Sequence, residues 1–336
     1  MLAASWQRPQ PDLLARVLQP LSWLYRGAAA LHGSLYSSGL RSHERAPVPL
    51  IVVGNFIVGG AGKTPTVIAL VEQMRQRGYK PGVVSRGYGR RDDRLRSVAR
   101  SSTPDEVGDE PLLIHLRTGA PVTVAARRID AARALCAAHP DVDLLIADDG
   151  LQHHALARDA QVIVFDERGV GNGLLLPAGP LRQPMPPCVP ERSIVLYNAE
   201  RASTPWPGHL ATRTVAGLVP LPDWWRGERA DARHWDALRG RRVLACAGIA
   251  MPQRFFSMLQ QQGLTIEPVS LPDHASFDPL PWPDGANDVV ITEKDAVKVR
   301  PELVGASRVW VAPLDLGLDA QVGATLAQWL QPWTTA

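Results

Sequence analysis

The chain has 336 residues, 45% of them hydrophobic and 21% charged, with a formal net charge of +3. That balance excludes a largely disordered chain, and the lack of a Lys/Arg stripe interleaved with aromatics argues against nucleic acid as a partner. Cys136, Cys188 and Cys246 are odd in number and far apart, which excludes a disulfide framework and fits a reducing, cytoplasmic setting.

The formal charge excess sits at the start, where Arg8, Arg16, Arg26, Arg41 and Arg45 face only Asp12 and Glu44. Over residues 11–36, Leu14, Val17, Leu18, Leu21, Leu24, Tyr25, Ala28, Leu31 and Leu35 recur at helical spacing. Pro11 and Pro20 each suit a first helical turn, so the spacing predicts two short helices or one kinked helix. No run approaches the roughly 20 apolar residues of a membrane span. A basic amphipathic helix lying in a membrane interface and a helix packed on the protein's own core both satisfy the pattern.

Pro49 to Val53 reads as a short buried strand, and Thr64 to Arg77 as a helix with Val67, Ile68, Leu70, Val71 and Met74 at its spacing. Between them lies Gly59-Gly60-Ala61-Gly62-Lys63-Thr64-Pro65. Glycines at a strand-to-helix turn let backbone N–H groups converge on phosphate oxygens, where the helix N-terminus favours an anion. Lys63 would reach the outer phosphates of a nucleotide and the Thr64 hydroxyl a Mg²⁺ ion. Ile57 stands where the strict phosphate-loop pattern has glycine, so the loop is a Gly-Gly-x-Gly-Lys-Thr variant.

A second strand ends at Ser85-Arg86-Gly87-Tyr88, where Arg86 and Tyr88 are placed to meet phosphate or sugar. Gly108-Asp109-Glu110-Pro111 opens an apolar helix, and the spacing alone makes Asp109 a cap. The strand at 121–125 leads to Arg127-Arg128 at the end of a sheet where ligands of parallel sheets collect. Asp143 to Ala147 is an apolar strand delivering Asp148 and Asp149, the placement of a Mg²⁺-holding carboxylate in phosphate-loop proteins, followed by Gln152 and His153. Strands follow at 160–166 and 193–198; a Pro- and Trp-rich stretch at 201–235 reads as a transition between lobes. Beyond it, strands alternate with helices through Asp273-His274 and Thr292-Glu293-Lys294-Asp295 to Ala312. The expected fold is α/β, with a phosphate-loop parallel sheet flanked by helices over 46–220, a smaller α/β lobe over 221–336 and an amphipathic helical segment over 1–45.

In this order the motifs resemble the tetraacyldisaccharide 4′-kinase family, which adds Leu176-Pro177-Ala178-Gly179-Pro180 to those above. The family loop also lacks the first glycine, whereas Met251 departs from the family pattern ahead of Pro252. The resemblance implies transfer of the ATP γ-phosphoryl group to the 4′-hydroxyl of a tetraacylated disaccharide 1-phosphate, with ATP and Mg²⁺ as cofactors. It implies Asp109 as base with His274 beside it, and the loop residues 59–65 on ATP. Thr64, Asp148 and Asp149 fall to the metal, and Arg86, Tyr88, Glu110, Arg128, Gln152 and His153 to the substrate. It also implies a peripheral location on the cytoplasmic face of the bacterial inner membrane and tips the N-terminal helix toward membrane contact. The competing reading is a phosphate-loop switch ATPase of the partitioning or metal-insertion type, which works by nucleotide-dependent dimerisation.

Overall fold

Five consecutive buried residues, Leu50–Gly54, form the strand around which the first unit assembles. In the computed structural model, which describes residues 2–334, the chain divides into two units. The first takes the chain up to Arg86, from Ala125 to Thr212 and from Gly317 onward; the second takes Gly87–Val124 and Arg213–Leu316.

In the first unit the strands run Pro81–Ser85, Leu144–Asp148, Leu50–Gly54, Ala160–Phe165, Ser193–Tyr197 and His209–Leu210, each parallel to its neighbour. The central strands are buried along nearly their whole length, as expected of parallel strands covered on both faces. Leu50, Val52, Val84 and Ala147 pack with Ile129, Ala132 and Leu135 of the helix Arg128–Ala138. The two-residue period sends Ile51 and Val53 to the opposite face.

The units interleave along the chain rather than dividing into 46–220 and 221–336, and packing explains it. The helix Ala320–Thr334 buries Val322, Leu326 and Leu330 at successive turns and joins the helix Lys63–Arg75. Gln73 Nε2 donates to Asp319 O at 2.9 Å and Arg77 Nη2 to Ala320 O at 2.6 Å. The helix Asp109–Thr118 is tied instead to C-terminal elements of the second unit, through Arg117 on Glu293 and on Asp315 at 2.6 Å.

The second unit carries a sheet ordered Val219–Pro220, Arg308–Ala312, Asp288–Thr292, Arg242–Ala247 and Thr265–Ser270, parallel except at its first pair. Its core joins Val243, Ala245, Val290, Phe256 and Leu259.

The N-terminal pattern resolves into a short helix, Leu2–Trp6, and one 25-residue helix, Leu13–Ser37, capped by Asp12 and running through Pro20. Its apolar series is divided. Ala15 and Ser22 are buried and Leu18 and Tyr25 half-buried, with Ser22 Oγ donating to Leu175 O at 2.8 Å and Tyr25 Oη to Arg182 O at 2.7 Å. Leu14, Val17, Leu21, Leu24 and Leu31 form an outward stripe, with Leu24 73% exposed. No helix among the described residues is long and apolar enough to cross a membrane.

Candidate active site

The glycine loop lies between Leu50–Gly54 and the helix Lys63–Arg75, so Lys63 and Thr64 are the first two helical residues and Pro65 the third. Gly62 caps the helix at φ +90°, a conformation strained for any residue with a Cβ, and such an atom would lie 1.8 Å from Asn198 Nδ2. Asn198 Nδ2 instead donates to Ala61 O at 3.0 Å, and Arg168 Nη2 to Gly60 O at 3.1 Å, which pins two loop carbonyls.

Strand register sets Asp148 level with Val53, just before the loop begins. Asp148 is buried at its strand's end, and Asp149 follows in a left-handed turn at φ +48°. The Asp149 carboxylate accepts from Arg182 Nη1 at 2.9 Å and lies 3.7 Å from Lys63 Nζ. Burial pushes this carboxyl up, but Lys63, Arg182 and Arg128 together outweigh it and hold it below the ordinary carboxylate value. Asn55 Oδ1 accepts from Lys63 Nζ at 3.3 Å, and Gln152 Nε2 donates to Asn55 O at 2.9 Å. Arg128 Nη2 donates to Asp149 O at 2.7 Å. His153 is half-buried in this company, and Arg86 is exposed at the end of Pro81–Ser85, with its charge felt at both Arg128 and His153.

In the second unit, Gly108 caps the helix Asp109–Thr118 without any side-chain bond, so Asp109 is not the cap that its position suggested. Its Oδ2 accepts from His274 Nδ1 at 3.0 Å and lies 3.5 Å from Lys298 Nζ. Burial raises this carboxyl, whereas the His274 hydrogen bond and the charges of Lys298 and Lys294 bring it below the usual range. His274 adopts φ +60°, and its N–H donates to Gly248 O at 3.3 Å; the Tyr88 ring meets its imidazole edge to face at 5.5 Å. Glu110 pairs with Lys294 at 3.3 Å.

The segment Thr292–Ala296 locks this cluster in place. Thr292 Oγ1 caps by accepting from Asp295 N at 3.2 Å; buried Asp295 accepts from Gly248 N at 2.9 Å and from Lys298 Nζ at 3.2 Å. Glu293 accepts from Trp224 Nε1 at 2.9 Å and pairs with Arg117.

A family model described as tetraacyldisaccharide-1-P 4′-kinase (LpxK) matches residues 14–331. The chain belongs to that family. The tetraacyldisaccharide 4′-kinase of Methylibium petroleiphilum is 52% identical over 337 residues, covering 98% of this chain and 93% of the relative. That of Leptothrix cholodnii is 54% identical over 319 residues, covering 93% of this chain and 92% of the relative. The crystal structure of an "apo" form LpxK from Aquifex aeolicus, described as a complex with ATP, matches with a TM-score of 0.78 at 25% identity, covering 95% of this chain and 100% of that one.

As a tetraacyldisaccharide 4′-kinase family member, the chain is an ATP-dependent kinase, and the switch-ATPase reading gives way. The donor set at the loop suits Mg²⁺: a hydroxyl and a carboxylate are hard oxygen ligands, and no sulfur or imidazole group competes in the Gly-Gly-x-Gly-Lys-Thr turn. Asn55, Arg168, Arg182 and Asn198 support the cradle and Lys294 and Lys298 the Asp109 cluster, yet none stood out in sequence as a site residue. Arg182 and Asn198 act through partners distant along the chain; Asn55 carried a signal inside the Gly-Asn motif and Lys294 inside the Thr-Glu-Lys-Asp motif.

Proposed function

We propose that this kinase moves the γ-phosphoryl group of ATP to the 4′-hydroxyl of tetraacyldisaccharide 1-phosphate at the cytoplasmic face of the inner membrane, with Asp109 as the base. The observation that carries the reading is the half-buried Asp109 carboxylate, ionised and gripped by His274. Phosphoryl transfer needs in-line positioning and neutralised oxygens more than covalent help. The amides of Gly59, Gly60, Ala61 and Gly62 cradle the phosphates, Pro65 shapes the helix start, and Lys63 stabilises charge developing on the γ-phosphoryl oxygens. Thr64 and Asp148 would hold Mg²⁺, which when bound neutralises the β- and γ-oxygens. Asp149, engaged by Arg182, keeps Lys63 aimed and adds negative charge beside the metal position.

As the new O–P bond forms, the acceptor hydroxyl passes its proton to Asp109. Arg86, Arg128, Gln152 and His153 supply cationic, amide and imidazole groups for a phosphorylated sugar, while Tyr88 and Glu110, also assigned to the substrate, lie beside His274 and Lys294 in the Asp109 cluster. The outward apolar stripe of Leu13–Ser37, with Arg16 and Arg26 exposed beside it, suits an interface rich in anionic lipid, where a four-chain acceptor resides.

Replacing Asp109 by Ala is expected to cut turnover by on the order of a hundredfold or more, with ATP affinity little changed. Transfer of radiolabel from ATP to lipid measures the first, and equilibrium nucleotide binding the second. Near-normal turnover would remove Asp109 from the chemistry.

A further inference from the structure

Lys294 Nζ is surrounded by three acceptors: Asp273 Oδ1 at 3.1 Å, His274 Nε2 at 3.1 Å and Glu110 Oε1 at 3.3 Å. An ammonium has three N–H donors and no acceptor, so the three contacts saturate it. Burial alone would weaken its hold on the proton, but Glu110 and Asp273 more than compensate and keep it charged. A ring nitrogen 3.1 Å from an ammonium must present its lone pair, because two N–H groups cannot point at each other across that distance. With Nε2 accepting, the one proton of a neutral imidazole lies on Nδ1, which is the atom 3.0 Å from Asp109 Oδ2.

We propose that Lys294 is a positioning residue for proton transfer: by donating to His274 Nε2 it fixes the imidazole as the neutral Nδ1–H tautomer, which orients the Asp109 carboxylate and keeps it ionised. Both partners of the carboxylate, His274 and Lys298, grip Oδ2, so that among the described residues Oδ1 is the oxygen left to take a proton. Lys298 is itself anchored on Asp295 and lies over the Phe277 ring at 5.4 Å. The inference rests on the reading of Asp109 as base.

The proton balance follows. The acceptor O–H bond breaks, its electron pair enters the new O–P bond, and its proton goes to Asp109 Oδ1 as the γ-phosphoryl group leaves ADP. His274 stays neutral throughout, because Lys294 occupies the nitrogen through which it would gain a second proton. The charged and titratable groups around the ring are Asp109 and Glu110 from one helix, Asp273 beside it, and Lys294, Asp295 and Lys298 from the segment after Asp288–Thr292. The Tyr88 ring meets the imidazole in a T-shaped contact.

The test compares the wild-type chain with Lys294→Met, which keeps the apolar stem, and Lys294→Arg, which keeps a donor. Nitrogen-15 NMR of the histidine rings in the intact protein is expected to show His274 protonated at Nδ1 and bare at Nε2 between pH 6 and 8. In Lys294→Met the freed Nε2 is expected to take up a proton that the wild-type ring excludes. kcat is then expected to fall about tenfold or more, with the KM for ATP unchanged and a new acid-side ionisation in the pH–rate profile. Lys294→Arg is expected to restore most of the rate and remove that ionisation.

Protonation of Nε2 in the wild type, or an unchanged ring state and pH profile in Lys294→Met, would overturn the proposal. Should the Met variant fail to fold, the wild-type tautomer decides alone. The NMR result is independent of turnover, so it stands apart from the Asp109→Ala experiment: normal activity there would refute the base assignment without touching the tautomer.

Discussion

His153 shows how a side chain can be polar at the site and yet add no charge to it. Burial, and after it the charges of Arg128, Arg158, His154 and Arg86, push its imidazole down to about 4. At neutral pH it can exchange hydrogen bonds with a sugar while Arg86 and Arg128 supply the positive charge. A histidine whose native value is depressed binds fewer protons folded than unfolded between about 4 and the unfolded value of about 6.5. Stability therefore rises with pH across that window and is lost as pH falls through it. The carboxylates of Asp109 and Asp149, held low by their cationic neighbours, lose their contribution only at pH values below the ordinary carboxylate range, so the windows are distinct. His153→Asn is expected to flatten part of the climb in melting temperature between pH 4 and 6.5, with His154, also pushed down chiefly by burial, retaining some of it. An unchanged slope would mean that His153 is solvated and ordinary.

At the scale of elements, the helix Leu13–Ser37 carries two apolar faces for two purposes. Ser22 and Tyr25 attach it to the loop at 175–182 and Ala15 and Leu18 are turned inward with them, whereas Val17, Leu21 and Leu24 are exposed. Exposed side chains contribute little to folding, so changing all three to Ser is expected to leave stability within about 1–2 kcal/mol. Each removes apolar area that would enter a bilayer, and partitioning onto anionic vesicles is expected to fall by about tenfold or more. Sedimentation at matched protein concentration measures it, and undiminished binding would return the helix to a purely structural role.

The same helix marks the limit of what periodicity reveals. Spacing located the stripe, but which half faces inward depends on the carbonyls of Leu175 and Arg182, some 150 residues away. Strand Leu50–Gly54, the loop and Asp148 were legible because an apolar run, glycines and an acid at its end are local signals. The grip of His274 on Asp109 spans 165 residues and was available only through family resemblance; the partnership of Lys294 with His274 Nε2 was available through neither.

For the whole molecule, the order of the chain and the order of folding units are different things. A contiguous nucleotide-binding domain at 46–220 would include residues 87–124, whose partners such as Glu293 lie beyond it, and would omit Ala320–Thr334. That last helix is integral to the first unit: Val322, Leu326 and Leu330 are completely buried, and Trp333 Nε1 donates at 3.0 Å to Asp159, which also accepts from Arg45 Nη1 at 3.0 Å and Leu50 N at 2.9 Å. Asp159 thus ties the entry to the central strand to the far end of the chain. Three fully buried aliphatic side chains represent roughly 5–9 kcal/mol of burial, comparable to the whole stability of an ordinary domain. Ending the chain after Leu316 is therefore expected to abolish cooperative urea unfolding of the nucleotide-binding unit and, with it, ATP binding, even though the loop, Lys63 and both aspartates remain. The isolated 46–220 fragment is expected to fail in the same way. Cooperative unfolding with ATP affinity retained after that truncation would show that the helix merely decorates a sheet already stable without it.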